Sequence, residues 1–199
     1  MPSENSLFKL KRIIRESAFH RSPSYSVNIG FKDLFTARGS LLSYNNHVLD
    51  MHTANPLSPT EIIESMTPTF QRDNDKWTRA MQICFVENLL CGCQSKVQLY
   101  SVRGNGSELD ECFVLDGLQR LTAIASFQRG DFPIFKDIYY QELVEQKGVF
   151  PRLRFTVDIF TFDSDIQACE FYIQMNRGIT HNERDLESAY EFIAQASEQ

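Results

Sequence analysis

The chain has little of what would mark a membrane, secreted or DNA-coating protein. No apolar run among its 199 residues approaches the roughly 20 residues that a membrane-spanning helix needs. The opening MPSENSLFKLKRIIRES lacks the apolar core of a signal peptide. Positive charge is in deficit: 20 Lys and Arg against 26 Asp and Glu leave a net charge of −6, which speaks against bulk coating of nucleic acid. A local basic groove stays compatible with that balance. Cysteine is sparse and odd in number: Cys84, Cys91, Cys93, Cys112 and Cys169. No second cysteine pair and no closely spaced histidine pair completes a zinc site around Cys91-Gly-Cys93. The expectation is a soluble, cytoplasmic protein with reduced, buried thiols and no membrane partner.

What is present is a core. Hydrophobic residues make up 42% of the chain and include 16 phenylalanines, enough for one sizeable core and against a disordered tail. Near the start, LFKLKRIIRE places Leu7, Leu10 and Ile14 at helical spacing. The preferred reading is an amphipathic helix docked on the body with a solvated basic face. Its Lys9, Lys11, Arg12 and Arg15 fall within two turns, and they are the candidates for nucleic-acid contact. Residues 22–57 are rich in Ser, Asn and Gly without a clear period, so they read as irregular with one short strand at 25–29. Residues 1–57 are thus expected to pack, as a basic helix and an irregular segment, on a body formed by 58–199, the whole being one compact unit.

Within the body, Ser58, Pro59 and Glu61 form a helix start of the capping-box kind. The Thr67-Pro68 step ends that helix. A helix from about 77 to 91 carries Trp77, Met81, Phe85 and Leu89 in one stripe. KVQLYSV and CFVLDG read as two strands of an antiparallel hairpin around the turn RGNGSELDE. LRFTVDIFTF alternates as a third strand, with Leu153, Phe155, Val157 and Ile159 on one face. A helix over 164–176 ends at Gly178. A last helix starts at Thr180 with Glu183 as its capping partner, and Leu186, Tyr190 and Ile193 mark its buried face. This mixture favours an α+β domain over a doubly wound parallel sheet.

The stretch FVLDGLQRLTAI turns from strand to helix within two residues, and its chemistry sits in the turn. A helix that begins there offers free backbone N–H groups and a positive dipole end. Gly117 permits close approach of a ligand to the backbone. Arg120 falls in the first helical turn, where dipole grounds disfavour a cation unless an anion accompanies it. Its fork suits a phosphate. Asp116, at the strand tip, suits a magnesium ion shared with phosphates. A purely structural reading competes: Asp116 as the N-cap, Gln119 as the capping-box partner and Arg120 as a solvated charge. Two further polar clusters lie at element edges, Gln71-Arg72 ahead of Trp77 and Asn176-Arg177 ahead of Gly178.

In this order the three stretches resemble the GmrS-type domain of modification-dependent restriction systems, a branch of the ParB/sulfiredoxin-like superfamily. That family carries a Q-R box followed by a tryptophan, then a helix with a glycine after it. A strand ending in D-G-Q-Q-R follows, and later an N-x-G segment. Here these are Gln71-Arg72 with Trp77, then Gly92, then Asp116-Gly117-Leu118-Gln119-Arg120, then Asn176 with Gly178. The resemblance covers about residues 60 to 195. Leu118 departs from the usual glutamine, as do His181 and Asn182 from the usual leucine and serine or threonine. No nuclease domain falls within the resemblance, so DNA cleavage is not carried over.

The resemblance implies a ParB/sulfiredoxin-like fold with a small mixed sheet and surrounding helices. It implies a nucleoside triphosphate with Mg2+ as ligand, held by Gln71, Arg72, Gly117, Gln119, Arg120 and Asn176. Asp116 would then be the catalytic residue and the metal ligand. The expected function is a nucleotide-binding sensor or regulator around DNA, with slow NTP hydrolysis left open. The alternative is a non-catalytic module that docks on a DNA-associated protein and blocks or mimics a restriction component. A sulfiredoxin-like redox enzyme is disfavoured, because the loop contains no thiol.

Overall fold

The computed structural model describes residues 6–16, 22–36, 39–71, 76–104, 111–145, 153–177 and 186–197. Four strands form one mixed sheet in the order β1-β4-β2-β3. They are β1 (Tyr25–Gly30), β2 (Lys96–Val102), β3 (Phe113–Asp116) and β4 (Arg154–Phe162). β4 runs antiparallel to β1 and parallel to β2, and β2 runs antiparallel to β3. Eight α-helices surround the sheet among the described residues: α1 (Ser6–Glu16), α2 (Asn46–Ala54), α3 (Pro59–Ser65), α4 (Arg79–Leu90), α5 (Leu118–Arg129), α6 (Tyr140–Glu145), α7 (Asp165–Asn176) and α8 (Glu187–Ser197). The fold is therefore α+β.

Alternation along the strands divides the core in two. Val97, Leu99, Phe155, Val157 and Ile159 point to one face and are fully buried with Leu121, Ile124 and Phe127 of α5. Tyr100, Phe160 and Phe162 point to the other and join Phe171 and Tyr172 of α7. β4 therefore buries both faces over its second half, where alternation alone gave it one. Apolar burial at about 25 cal/mol per Å² makes such a doubly covered strand the anchor of a sheet.

Local chemistry sets the helix starts. The Ser58 hydroxyl accepts the Glu61 N–H at 3.3 Å, and the Glu61 carboxylate accepts the Ser58 N–H at 2.7 Å, closing the expected box. Thr78 caps α4, which begins two residues later than its apolar stripe. In that stripe Trp77 and Phe85 do meet, at 5.2 Å between ring centroids, but Met81 is exposed and Val86 joins Leu89 in the core. Likewise Tyr190 of α8 is exposed, while Ala189 takes its place in the interior.

The segment read as irregular is more ordered than its composition indicates. It contains β1 and α2, and β1 pairs with β4 from beyond the expected boundary at 57, so the sheet spans both parts. Its polar residues act as caps. The Asn45 side chain accepts the Val48 N–H at 3.1 Å and donates to the Cys112 carbonyl at 3.0 Å, starting α2 and fastening it beside β3. The thiols also divide: Cys112 and Cys169 are buried as expected, whereas Cys84 in the middle of α4 and Cys91 and Cys93 just after it are exposed. That helix buries Leu89 on one side of its last turn and leaves the side bearing Asn88, and Cys91 beyond it, exposed.

Candidate functional site

β3 ends at Asp116 and α5 begins at Leu118, so Gly117 alone makes the turn. Its φ of +100° belongs to the left-handed region that favours glycine. A β-carbon there would lie 2.8 Å from Val97 Cγ2 and 3.3 Å from Val97 Cα. Close packing of the joint on β2 therefore requires this glycine, which differs from the ligand-approach reason expected from sequence. Gly117 is the N-cap and has no side chain to offer. The first intrahelical bond runs from the Leu121 N–H to the Gly117 carbonyl at 3.0 Å. Neither Asp116 nor Gln119 forms a capping box, which removes the competing reading of both residues as caps.

The expected residues described at the joint have definite neighbours. Arg120 Nη1 donates to the Lys96 carbonyl at 2.6 Å and to Asp116 Oδ2 at 3.3 Å. The anion that a cation at a helix start requires is thus first of all Asp116. Both side chains remain about one-third exposed. Gln119 is buried, and its Oε1 accepts the Trp77 N–H at 3.2 Å. Gln71 Nε2 donates to the Val114 and Leu115 carbonyls at 2.7 and 2.9 Å. These two amides therefore fasten Gln71 and Trp77 to the joint, with their bonds spent on backbone groups. Leu118 packs into the core, so its departure from glutamine offers no docking surface.

Other residues lie apart. Asn176 is buried at the end of α7, and its amide donates to the Tyr172 carbonyl of its own helix at 2.8 Å. No described contact carries it to Asp116 or Arg120. Arg72, Gly178, Thr180, His181, Asn182, Glu183 and the tip of the β2–β3 turn lie outside the described residues. On α1, Lys9, Lys11 and Arg12 are exposed, as are Leu7, Phe8 and Leu10, and the Arg15 side chain lies outside the description.

The register brings in residues that motif reading missed. Gln98 pairs with Asp116 on one side and Asp158 on the other, and Asp158 pairs with Ser26. Directly paired residues share a face, so Ser26, Asp158, Gln98 and Asp116 form one polar row across all four strands. Asp158 Oδ2 accepts Lys96 Nζ at 2.7 Å, and Oδ1 accepts the Ser26 hydroxyl at 2.6 Å. Burial pushes the Asp158 carboxyl up, yet these two hydrogen bonds and the Lys96 charge together hold it below the usual carboxylate range. Gln98 Oε1 is buried without a partner among the described residues, beside Asp116. Two signals were legible: the polar alternation Lys96, Gln98 in β2, and the lone acid Asp158 inside an apolar strand.

The row and the joint together place two carboxylates, one lysine, one arginine and an uncapped helix start at one end of the sheet. No family model, no curated protein and no solved structure matches the chain. No helix among the described residues is long and apolar enough to cross a membrane.

Proposed function

We propose that the chain is a nucleotide-binding sensor or regulatory domain of the ParB/sulfiredoxin-like type, with the phosphates of a nucleoside triphosphate at the β3–α5 joint. The observation that carries the reading is Arg120, set in the first turn of a helix without a side-chain cap and held, among the described residues, through Nη1 alone. An ion pair as exposed as Asp116–Arg120 is worth about 0.2–1 kcal/mol. A hydrogen bond to a charged phosphate contributes about 1.5–3 kcal/mol. A phosphate carries more charge and more acceptor oxygens than a carboxylate and can engage the guanidinium in bidentate fashion, while the bond to the Lys96 carbonyl keeps the side chain in place.

Asp116 fits a magnesium ion carried by the nucleotide. Its Oδ1 has no described bond, and one carboxylate plus phosphate oxygens is a usual ligand set for this ion. No group of three or more His, Cys, Asp or Glu side chains gathers as a metal cage among the described residues. Bound magnesium would supply charge neutralisation on the phosphates. The same set suits a slow NTPase, since phosphoryl transfer asks a protein mainly for positioning and charge.

Isothermal titration with each of the four triphosphates and magnesium tests the reading, and no heat at millimolar ligand would overturn it. Arg120→Ala should weaken binding about ten- to a hundredfold. Because Arg120 also holds the Lys96 carbonyl, the melting temperature of the variant is recorded beside its affinity. A folded variant with unchanged affinity would remove Arg120 from the site.

A further inference from the structure

Further along the same sheet face, away from the polar row, a pocket of about 350 Å³ opens between β2, β3, the turn after α3, the start of α7 and α8. One wall is a run of four rings. Phe192 meets Phe70 at 5.5 Å between centroids, Phe70 meets Tyr100 at 5.8 Å, and Tyr100 meets Phe113 at 5.9 Å. Phe70 and Tyr100 are fully buried and form the floor, while Phe113 and Phe192 are half-buried at the sides.

The polar wall is of one sign. Glu111 and Asp165 line the pocket and are exposed, and no lysine, arginine or histidine is among its lining residues. Arg103, which follows the lining residue Val102, is turned to Asp163 at 3.1 Å. The Tyr100 hydroxyl donates to Asp165 Oδ1 at 3.1 Å, which fixes that carboxylate against the rings and leaves Oδ2 without a described bond. Burial first, and the Asp165 charge second, raise the Tyr100 pKa, so the hydroxyl stays a donor to the carboxylate.

Each available ligand class meets a different fate here. Two carboxylates with no basic side chain among the described lining residues repel an anion, so the phosphate chemistry of the joint does not extend to this pocket. A neutral apolar ligand would cover the rings but desolvate the carboxylates without pairing them, which is costly. A cation with an apolar shell satisfies both walls, because the electron-rich ring faces attract positive charge as the carboxylates do. The volume sits near the lower end of the roughly 300–1,000 Å³ typical of ligand pockets, which calls for a small group.

We infer that this pocket binds a small organic cation, a quaternary ammonium, alkylammonium or guanidinium group, between the Phe70–Tyr100–Phe113–Phe192 rings and the Glu111 and Asp165 carboxylates. The site is independent of the nucleotide reading, since it shares no residue with the joint. The cation can be a free small molecule or the side-chain head of a peptide.

The test titrates the full chain with choline and with its neutral isostere 3,3-dimethylbutan-1-ol, following the aromatic resonances by NMR. Choline should bind at least about tenfold more tightly. Glu111→Gln, at an exposed position, should weaken choline severalfold without changing the melting temperature. Phe192→Leu, which keeps an apolar volume and removes a ring face, should also weaken choline severalfold, with its melting temperature recorded beside the affinity because Phe192 packs on Phe70. A short peptide with one trimethyllysine separates the sources: tighter binding than choline assigns the pocket to a side chain, and equal or weaker binding assigns it to a free cation. Equal affinity for the alcohol and choline, or no binding of either at tens of millimolar, would overturn the inference. So would unchanged choline affinity in both folded variants.

Discussion

Replacing Gly117 by alanine tests how the joint is built, because two separate penalties meet at one added carbon. The first is conformational: a non-glycine residue held in the left-handed region costs about 1–2 kcal/mol. The second is steric. The new β-carbon would sit 2.8 Å from Val97 Cγ2, and Val97 is fully buried in a central strand. A β-branched side chain has few rotamers to escape into, and overpacking a closed core costs about 1–3 kcal/mol. The sum is about 2–5 kcal/mol, which for a chain of this size lowers the melting temperature by roughly 4–20 °C at 2–4 °C per kcal/mol. Urea unfolding of the wild type, Gly117→Ala, Val97→Ala and the double variant separates the two parts. Removing the Val97 methyls should return about 1–2 kcal/mol of the alanine penalty, a coupling of the size expected for residues in contact. The conformational part should persist, since φ at residue 117 stays near +100° whatever stands at 97. An alanine variant within about 0.5 kcal/mol of wild type, the range of ordinary surface substitutions, would refute this account of the turn. Zero coupling would refute its steric half.

Two further outcomes follow from burial and charge. A thiol reagent should react quickly with Cys84, Cys91 and Cys93 in the native protein, and with Cys112 and Cys169 only after unfolding. Burial, with Glu170 and Asp165 nearby, pushes the Cys169 thiol up to about 12, so fast labelling of all five would contradict the packing under α7. Asp158 has a folded pKa below its unfolded value. It therefore contributes stability above the unfolded pKa, and that stability is lost as pH falls below about 4. Asp158→Asn should flatten the urea midpoint against pH in that range, and an unchanged acid slope would remove the Ser26–Asp158–Lys96 contacts from the stability of the sheet.

The parts of the fold that were legible in the sequence are those set by local rules. Ser58, Pro59 and Glu61 signal a helix start by side chain alone, and alternation with a Gly-rich turn specifies the β2–β3 hairpin. Asp116 and Arg120 come out adjacent because the one-residue turn at Gly117 folds the first turn of α5 back beside the tip of β3. What escaped depends on partners far along the chain. Asn45 looks like a loop residue until Cys112 supplies its second bond, and the polar row exists only through the register of four strands. Gln71 and Gln119 were rightly placed near the joint, but their amides bond to backbone at Val114, Leu115 and Trp77. A motif marks where such residues gather and not which way their side chains turn. Met81 and Tyr190 failed for a related reason: a stripe gives the apolar side of a helix, while the neighbour decides how wide the buried strip is.

The strand order β1-β4-β2-β3 has a consequence for how the protein assembles. β2, β3 and α5 lie within one stretch of chain, so the turn at Gly117 and the Asp116–Arg120 pair close over short loops. β1 must instead find β4 across a separation of 132 residues, as the Ser26–Asp158 bond records, and β2 must find β4 across 62. Loop closure grows only logarithmically, by about 0.6 kcal/mol per doubling of length. The longer closure is thus affordable at equilibrium, but it is slow to reach, because distant pairings delay the folding of sheets. On loop length alone the expected order of assembly is the strand–helix joint first, the β2–β4 pair next and β1 last.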